Sequence, residues 1–304
     1  MELLQLRYFQ KVAHLESITK AANELHVSQP ALSKMIARLE HDLGASLFDR
    51  QGRTIRLNDF GRSFLNRINR VFFELEEGER EIEEMVTTQH RITSVSIALP
   101  HILPFFIGEF MKEHPNVHIK QYTGTAAAMK KQLEDGDIDF CISMRPIEGT
   151  EIEWMTLLDE EIFLSVPPDH HLAHRSSVHL NEVCNEVFIN RPMGYDFRDL
   201  TDQFCSEAGF TPHTPLELEE AGAILRLIEL GLGISFTPQL SLLQENLPKT
   251  VQLPITAPRC RRNIGLAWHK GRYFSQAATD LHQFTVRFFK HIALTYFDDQ
   301  SVGD

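Results

Sequence analysis

The sequence predicts a multidomain chain: a small all-α domain carrying a short hairpin, one long helix, then two α/β lobes. Three observations carry this. Apolar residues recur at helical spacing through the first ninety residues. From Thr93 the pattern changes to strand-like and helix-like segments in alternation. Charge divides along the same line. Residues 1–70 hold eleven Lys and Arg against seven Asp and Glu, a balance of +4, so the net −12 leaves −16 on the remainder. An acidic chain argues against nucleic-acid binding, but a basic head on an acidic body restores that option for the head.

The length of 304 residues suits two or three domains, and 42% hydrophobic with 24% charged residues excludes a disordered chain. Apolar stretches such as 102–106 are too short to span a bilayer, and residues 1–5 show no basic region or apolar core of a secretory signal. Cys141, Cys184, Cys205 and Cys260 are widely spaced with no CxxC pair, which suits a reducing cytoplasm and gives no zinc motif.

Leu3, Leu6, Phe9 and Val12 lie at steps of three and define the first helix. Ser17 is placed to cap a second, with Ile18, Ala21, Ala22 and Leu25 on its inner face. After a tight turn at Val27, Ser28 caps a third helix, with Pro30 in its first turn where a missing N–H costs little. That helix is expected to bury Leu32, Ile36, Leu39 and Leu43 and to end at Gly44. Leu47 to Leu57 read as a hairpin with glycine at its tip. Asn58 then caps a helix reaching Thr88, roughly 45 Å at about 1.5 Å per residue. Its Phe64, Ile68, Val71, Leu75, Ile82 and Met85 keep the 3-4 spacing of a coiled-coil seam, which implies a partner chain, and Gly78 falls in that seam. Its many glutamates between Glu74 and Glu84 read as a solvated face.

Beyond Thr93, strands are expected at 95–99, 117–122 and 138–143, with helices at 104–113 and 125–134 between them: a βαβαβ unit with a mostly parallel sheet. A second unit has strands at 161–166, 187–190, 216–218 and 234–237 and helices at 196–208 and 221–230. A further strand at 263–269 and a helix from about 275 to 291 complete the chain.

Two short helices joined by a tight turn, with Ala21 and Ala22 facing inward, form a helix-turn-helix whose third helix would lie in a DNA major groove. Its outward residues are Gln29, Ser33, Lys34 and Ala37. Gln29 has the donor–acceptor pair that reads adenine, and Ser33 and Lys34 suit phosphates or guanine. The alternative for this segment by itself is a plain three-helix packing unit.

The run Leu3-x-x-Leu6-x-x-Phe9-x-x-Val12-Ala13, Ser17-Ile18-x-x-Ala21-Ala22-x-x-Leu25, Val27-Ser28-Gln29-Pro30-Ala31-Leu32-Ser33 and Ile36-x-x-Leu39-Glu40 resembles the DNA-binding head of the LysR family. So do Leu43-Gly44-x-x-Leu47-Phe48-x-Arg50, Leu57-Asn58 and Gly61; Asn58 stands where the family usually has threonine, and keeps the capping chemistry. Over 92–293 the resemblance is looser, resting on Phe110-x-x-x-x-Pro115-x-Val117, 137–140 and 231–238. It implies a winged helix-turn-helix over 1–58 in which Ser28, Gln29, Pro30, Ser33 and Lys34 meet DNA, with Arg50 and Arg53 of the wing at its backbone or minor groove. It implies a linker (dimerisation) helix over 59–89 that pairs through Phe64, Ile68, Val71, Leu75 and Ile82. It further implies an effector-binding domain over 90–304, built as two Rossmann-like lobes of periplasmic-binding-protein type (about 90–161 with 268–304, and about 162–267). The implied partners are double-stranded DNA with an interrupted inverted repeat, a small-molecule effector, a second or further copies of the chain as homodimer or homotetramer, and RNA polymerase. No cofactor, metal or membrane partner is expected, and no enzymatic activity. The alternatives are an effector-independent DNA-binding protein and a solute-sensing module that does not bind DNA.

The effector is expected to be a small anion, a carboxylate, at the start of the helix after the second strand. Gly124 and Thr125 open that helix at the carboxyl end of a parallel strand, where open α/β sheets place ligands, and its dipole favours negative charge. Arg145 follows the third strand as a candidate counter-charge. By the resemblance, the second lobe contributes Met193, Gly194 and Tyr195. The 100–103 loop is short for the family, whose longer loop carries a Ser or Thr toward the effector, and His101 is placed to take over that role. His170, His171 and His174 cluster in sequence, but their setting reads as a surface loop rather than a metal site. No GxSxG or other nucleophile motif is present, and the pair Gly231 and Gly233 reads as turn geometry.

Overall fold

A computed structural model describes residues 1–51, 54–86, 92–243 and 247–297. The chain falls into two compact units, Met1–Glu83 and Glu84–Asp304.

The head contains α1 (Leu3–Leu15), α2 (Ile18–Glu24), α3 (Gln29–Leu43), the strands β1 (Phe48–Gln51) and β2 (Thr54–Leu57), and α4 (Asp59–Val86). The expected caps are in place. Ser17 Oγ accepts from the Lys20 N–H at 3.3 Å, and Gly44 ends α3 in the left-handed conformation (φ 68°). Asn58 Oδ1 accepts from the Gly61 N–H at 2.9 Å, and its amide donates to the Ser46 carbonyl at 2.8 Å, tying α4 to the hairpin. At Gly61 a Cβ would stand 2.1 Å from the Leu47 carbonyl oxygen, so only glycine fits. Leu6, Phe9, Val12, Leu32, Ile36 and Leu39 are buried, whereas Leu3 (54% exposed) and Leu43 (37%) are not. Both stand in terminal turns, where the stripe runs past the elements that could cover it.

The larger unit begins with β3 (Ile92–Ile97), α5 (Leu103–Glu113), β4 (His118–Tyr122), α6 (Ala126–Glu134) and β5 (Phe140–Ser143). As expected, β4, β3 and β5 pair in parallel in that order. The chain continues through β6 (Ile152–Val166), β7 (Val178–His179), β8 (Val187–Asn190), α7 (Asp196–Glu207), β9 (His213–Glu217) and α8 (Ala221–Glu229). It closes with β10 (Ser235–Pro238), β11 (Val251–Leu253), β12 (Ile255–Ala257), β13 (Arg261–His269) and α9 (Gln276–Tyr296). The sheet is more mixed than the sequence suggested. β13 runs antiparallel to β5 and β6, and β10 and β11 run antiparallel to β6. β8 and β9 form a separate parallel pair.

The strand expected at 161–166 begins nine residues earlier, at Ile152, and with β13 runs from one lobe into the other. Its first half escapes a period-two reading because a register shift opposite Ile264 and Gly265 breaks the alternation. Below the first strands, Asp139 is buried; its carboxylate accepts from the Ser94 N–H at 2.7 Å and pairs with Arg272 at 2.6 Å. No helix among the described residues is long and apolar enough to cross a membrane.

Candidate functional site

Two surfaces concentrate polar chemistry: one face of α3 in the head, and a cavity in the larger unit. On α3, Ser28 Oγ accepts from the Ala31 N–H at 3.4 Å, so this hydroxyl serves the helix start. Gln29, Pro30, Lys34, Ala37 and Arg38 are exposed and Ser33 half-buried, whereas Leu32 and Ile36 are buried. At the other end of α3, Glu40 Oε1 accepts from the backbone N–H groups of Leu47 at 2.8 Å and Phe48 at 3.3 Å, which fixes where the hairpin begins. Arg50 stands in β1 opposite Ile55, and Arg53 lies outside the described residues.

The expected dimer seam on α4 divides in two. Phe64 packs on Phe9 (ring centroids 5.3 Å apart), and Ile68, 4% exposed, belongs to the head's own core. Ile68 is closed to a partner, and Phe64 is only partly open to one. An unbroken 3-4 spacing hides this, because the spacing is the same whichever surface covers it. Val71 (42%), Leu75 (46%) and Ile82 (63%) are exposed, and a Cβ on Gly78 would meet nothing within 4 Å.

The cavity, about 420 Å³, lies between the carboxyl ends of β3, β4 and β5 and the starts of α7 and α8. His101, Gly124, Thr125 and Tyr195 line it as expected. Arg145, Met193 and Gly194 are not in its wall: Met193 is 79% exposed and Gly194 (φ 90°) shapes the turn before α7.

The start of α6 departs from expectation in a specific way. Thr125 Oγ1 caps it, accepting from the Ala128 N–H at 3.4 Å. Its first free N–H, on Ala126, donates to Asp196 Oδ2 at 2.6 Å, and Arg145 pairs with Asp196 Oδ1 at 3.0 Å. The anion at this helix start is therefore the chain's own carboxylate, brought from the first turn of α7 and 8% exposed. The expected counter-charge is engaged by the same group.

Cationic chemistry lies elsewhere in the wall. Arg262 of β13 faces Glu160 of β6; Nε donates to Oε1 at 2.6 Å, and Glu160 Oε2 accepts from the Leu240 N–H at 2.6 Å. Nη1 reaches Met144 Sδ at 3.5 Å, and the guanidinium lies 5.3 Å from the Phe197 ring centre. Nη2 is buried and, among the described residues, has no hydrogen-bond partner; the same holds for His101 Nε2. Burial, helped by the charges of Arg262 and Arg191, pushes the His101 ring down to about 3, so it is neutral at physiological pH. Burial also pulls the Arg191 guanidinium below its ordinary range, against the opposing charge of Tyr195 and Glu220.

Among the residues that sequence reasoning missed are Asp196 and Arg191 of the wall, Arg262 of the wall, and Glu160, which holds Arg262. A signal existed for the last two. Arg262 is in phase with buried Ile264 and Glu160 with buried Ile162 and Leu164, so each is a charge at an inward strand position. No local signal marks Asp196, since an acid in a first turn normally serves its own helix.

The histidine cluster resolves into His170, His171 and Glu186, without His174. His170 Nδ1 accepts from the Leu172 N–H at 3.3 Å, and its Nε2 faces Glu186 at 3.6 Å. Burial raises the thiols of Cys141, Cys205 and Cys260 to about 12, far from a nucleophile's range.

Comparison with known proteins joins the two units. Residues 3–62 match the family of bacterial regulatory helix-turn-helix proteins, lysR family, and residues 84–290 match the LysR substrate binding domain. The uncharacterized HTH-type transcriptional regulator YybE of Bacillus subtilis (strain 168) is 38% identical over 294 residues, 95% of this chain and 99% of that protein. The transcriptional dual regulator GltC of the same organism is 34% identical over 299 residues, covering 96% and 99%. The crystal structure of full-length BenM superposes with a TM-score of 0.60 at 25% identity, covering 97% of this chain and 99% of that one. A helix-turn-helix head with exposed polar residues along α3, followed by a two-lobed domain around a ligand-sized cavity, has its match along almost the whole chain: the protein belongs to the LysR family of DNA-binding transcriptional regulators.

Proposed function

We propose that this regulator binds an interrupted inverted repeat as a homodimer or homotetramer in the cytoplasm, acts through RNA polymerase, and is controlled by a small organic anion in the cavity. The single observation that carries the effector reading is the cavity itself. It has the volume of a small-molecule site, its surface is mostly apolar, and polar side chains such as His101, Asp196 and Arg262 converge on it. Ser28, Gln29, Pro30, Ser33 and Lys34 present the operator-facing surface, with Arg50 and Arg53 toward the DNA backbone. The division of labour follows the chain: 1–58 for DNA, 59–89 for pairing, 90–304 for the effector. Pairing of α4 uses Val71, Leu75 and Ile82, the exposed part of the seam.

Gel retardation on DNA upstream of the protein's own gene, with sedimentation of the free protein, tests this. Wild type is expected to shift its own upstream DNA at much lower concentration than scrambled DNA of equal composition. Leu75→Asp is expected to sediment as a monomer and lose that preference. Equal affinity for both DNAs would overturn the operator reading, and a dimeric Leu75→Asp variant would move the seam elsewhere.

A further inference from the structure

Resting on the reading of the cavity as an effector site, we propose that its ligand is bipolar: an acid group anchored by Arg262 at one end, and a hydroxyl or amino donor received by Asp196 at the other. This reverses the polarity that the fold alone suggests. A helix N-terminus beside a cleft ordinarily takes the ligand's anion. At α6 that place is filled from within, because Asp196 spans the Ala126 N–H and the Arg145 guanidinium. A ligand carboxylate arriving there would face a fixed negative charge, and like charges at close range disfavour each other. Each Asp196 oxygen engages one of these two donors and keeps a second lone pair. That end of the wall is therefore an acceptor and selects a donor.

Arg262 has the complementary deficit. Arg262 is 5% exposed, held by Glu160 through Nε, with Nη2 buried and unpartnered among the described residues. A buried donor without an acceptor is costly, and an anion supplied by a ligand satisfies it with a charge-assisted hydrogen bond. His101 Nε2 is likewise buried and without a partner among the described residues, and its neutral ring adds a hydrogen-bonding site without adding charge. Arg191 also lines the cavity, and its charge, like that of Arg262, acts on His101. The wall also carries the apolar side chains of Ile224, Leu225 and Phe236, which suit a compact hydrocarbon body.

The test is calorimetric titration of the full chain with two matched series: para-hydroxybenzoate, benzoate and para-hydroxybenzamide; and γ-aminobutyrate, butyrate and γ-aminobutyramide. In at least one series the compound with both groups is expected to bind about tenfold or more tighter than either compound lacking one, the worth of a single charge-assisted hydrogen bond. Asp196→Asn is expected to abolish the advantage of the donor and keep that of the acid. Arg262→Lys, which leaves a cation beside Glu160, is expected to abolish the advantage of the acid. Fluorescence of Trp154 and Trp268, both in the larger unit, checks that each variant folds. Acids that bind equally with and without the donor, or an Asp196→Asn variant that still prefers the donor, overturn the proposal. Binding of the amides alone overturns it while leaving an effector cavity. Absence of binding by every compound overturns it too; in that case retention of operator preference in the gel assay keeps the DNA-binding reading separate.

Discussion

Two helix starts in this protein are built alike and end in opposite states. At α3, Ser28 caps the first turn and the residues beyond it, Gln29 and Lys34, stand open. At α6, Thr125 caps the first turn and the next free N–H is taken by Asp196, 70 residues away in sequence. The caps are equivalent in chemistry and nearly so in length. The difference lies in what the rest of the fold brings up against them. A capped helix start is therefore a potential anion site only until the tertiary structure fills it, and in the larger unit the fold has filled it.

The covered side of this comparison should be the more sensitive to change, and its pH dependence gives the largest effect. His101 titrates near 3 in the folded larger unit against 6.5 when unfolded, whereas the head's His14, His26 and His41 are exposed. Its folded value is the lower, so below about pH 6.5 the unfolded chain binds the extra proton. The His101 contribution is present above that pH and declines toward pH 3 by up to about 1.4 kcal/mol per unit. Urea unfolding followed by tryptophan fluorescence should show a shallower decline for His101→Gln than for wild type. Parallel curves would mean that His101 is not buried in the neutral form.

Next in size, Asp196→Ala opens the start of α6 and should destabilise the larger unit by about 2 kcal/mol, the cost of leaving a buried donor and its cation without their acceptor. A variant as stable as wild type in the same urea assay would show that the two helix starts are equally open in solution. A comparable or smaller effect, about 1–2 kcal/mol, is expected in the head, but in binding rather than stability. Gln29→Ala should weaken operator DNA selectively and leave scrambled DNA unchanged, as removal of a base-reading side chain does. Equal weakening on both would assign Gln29 to the backbone. The smallest effect is at the α3 cap: Ser28→Ala should lower head stability by about 1 kcal/mol and DNA affinity only in proportion, measured by circular dichroism melting beside gel retardation. A large affinity loss without a melting change would mean that the Ser28 hydroxyl serves DNA more than the helix.

How far the sequence could be read follows from how local each signal is. The caps Ser17, Ser28, Asn58 and Thr125, and the glycine end of α3, were legible because a cap acts within three or four residues of itself. The parallel trio β4, β3 and β5 was legible because strand–helix alternation leaves few topologies. The first half of β6 was not, because a bulge removed its period.

The division of the α4 stripe could not be read for a different reason. Phe64 and Ile68 obey the same spacing as Val71 and Leu75, and periodicity says that a face is covered without saying by what. The anion site failed on the same ground: Gly124, Thr125 and Arg145 were correctly identified as neighbours, yet the anion among them is Asp196. By itself, then, the sequence determined the family, most of the order of elements, the exposed residues of α3 and several residues of the cleft wall, all set by interactions close along the chain. Tertiary structure alone decided which apolar residues the head keeps for its own core, and that the cleft wall carries an internal carboxylate and a buried, half-satisfied guanidinium. Those are long-range interactions, and their free energy depends on burial and on partner groups that no local pattern encodes.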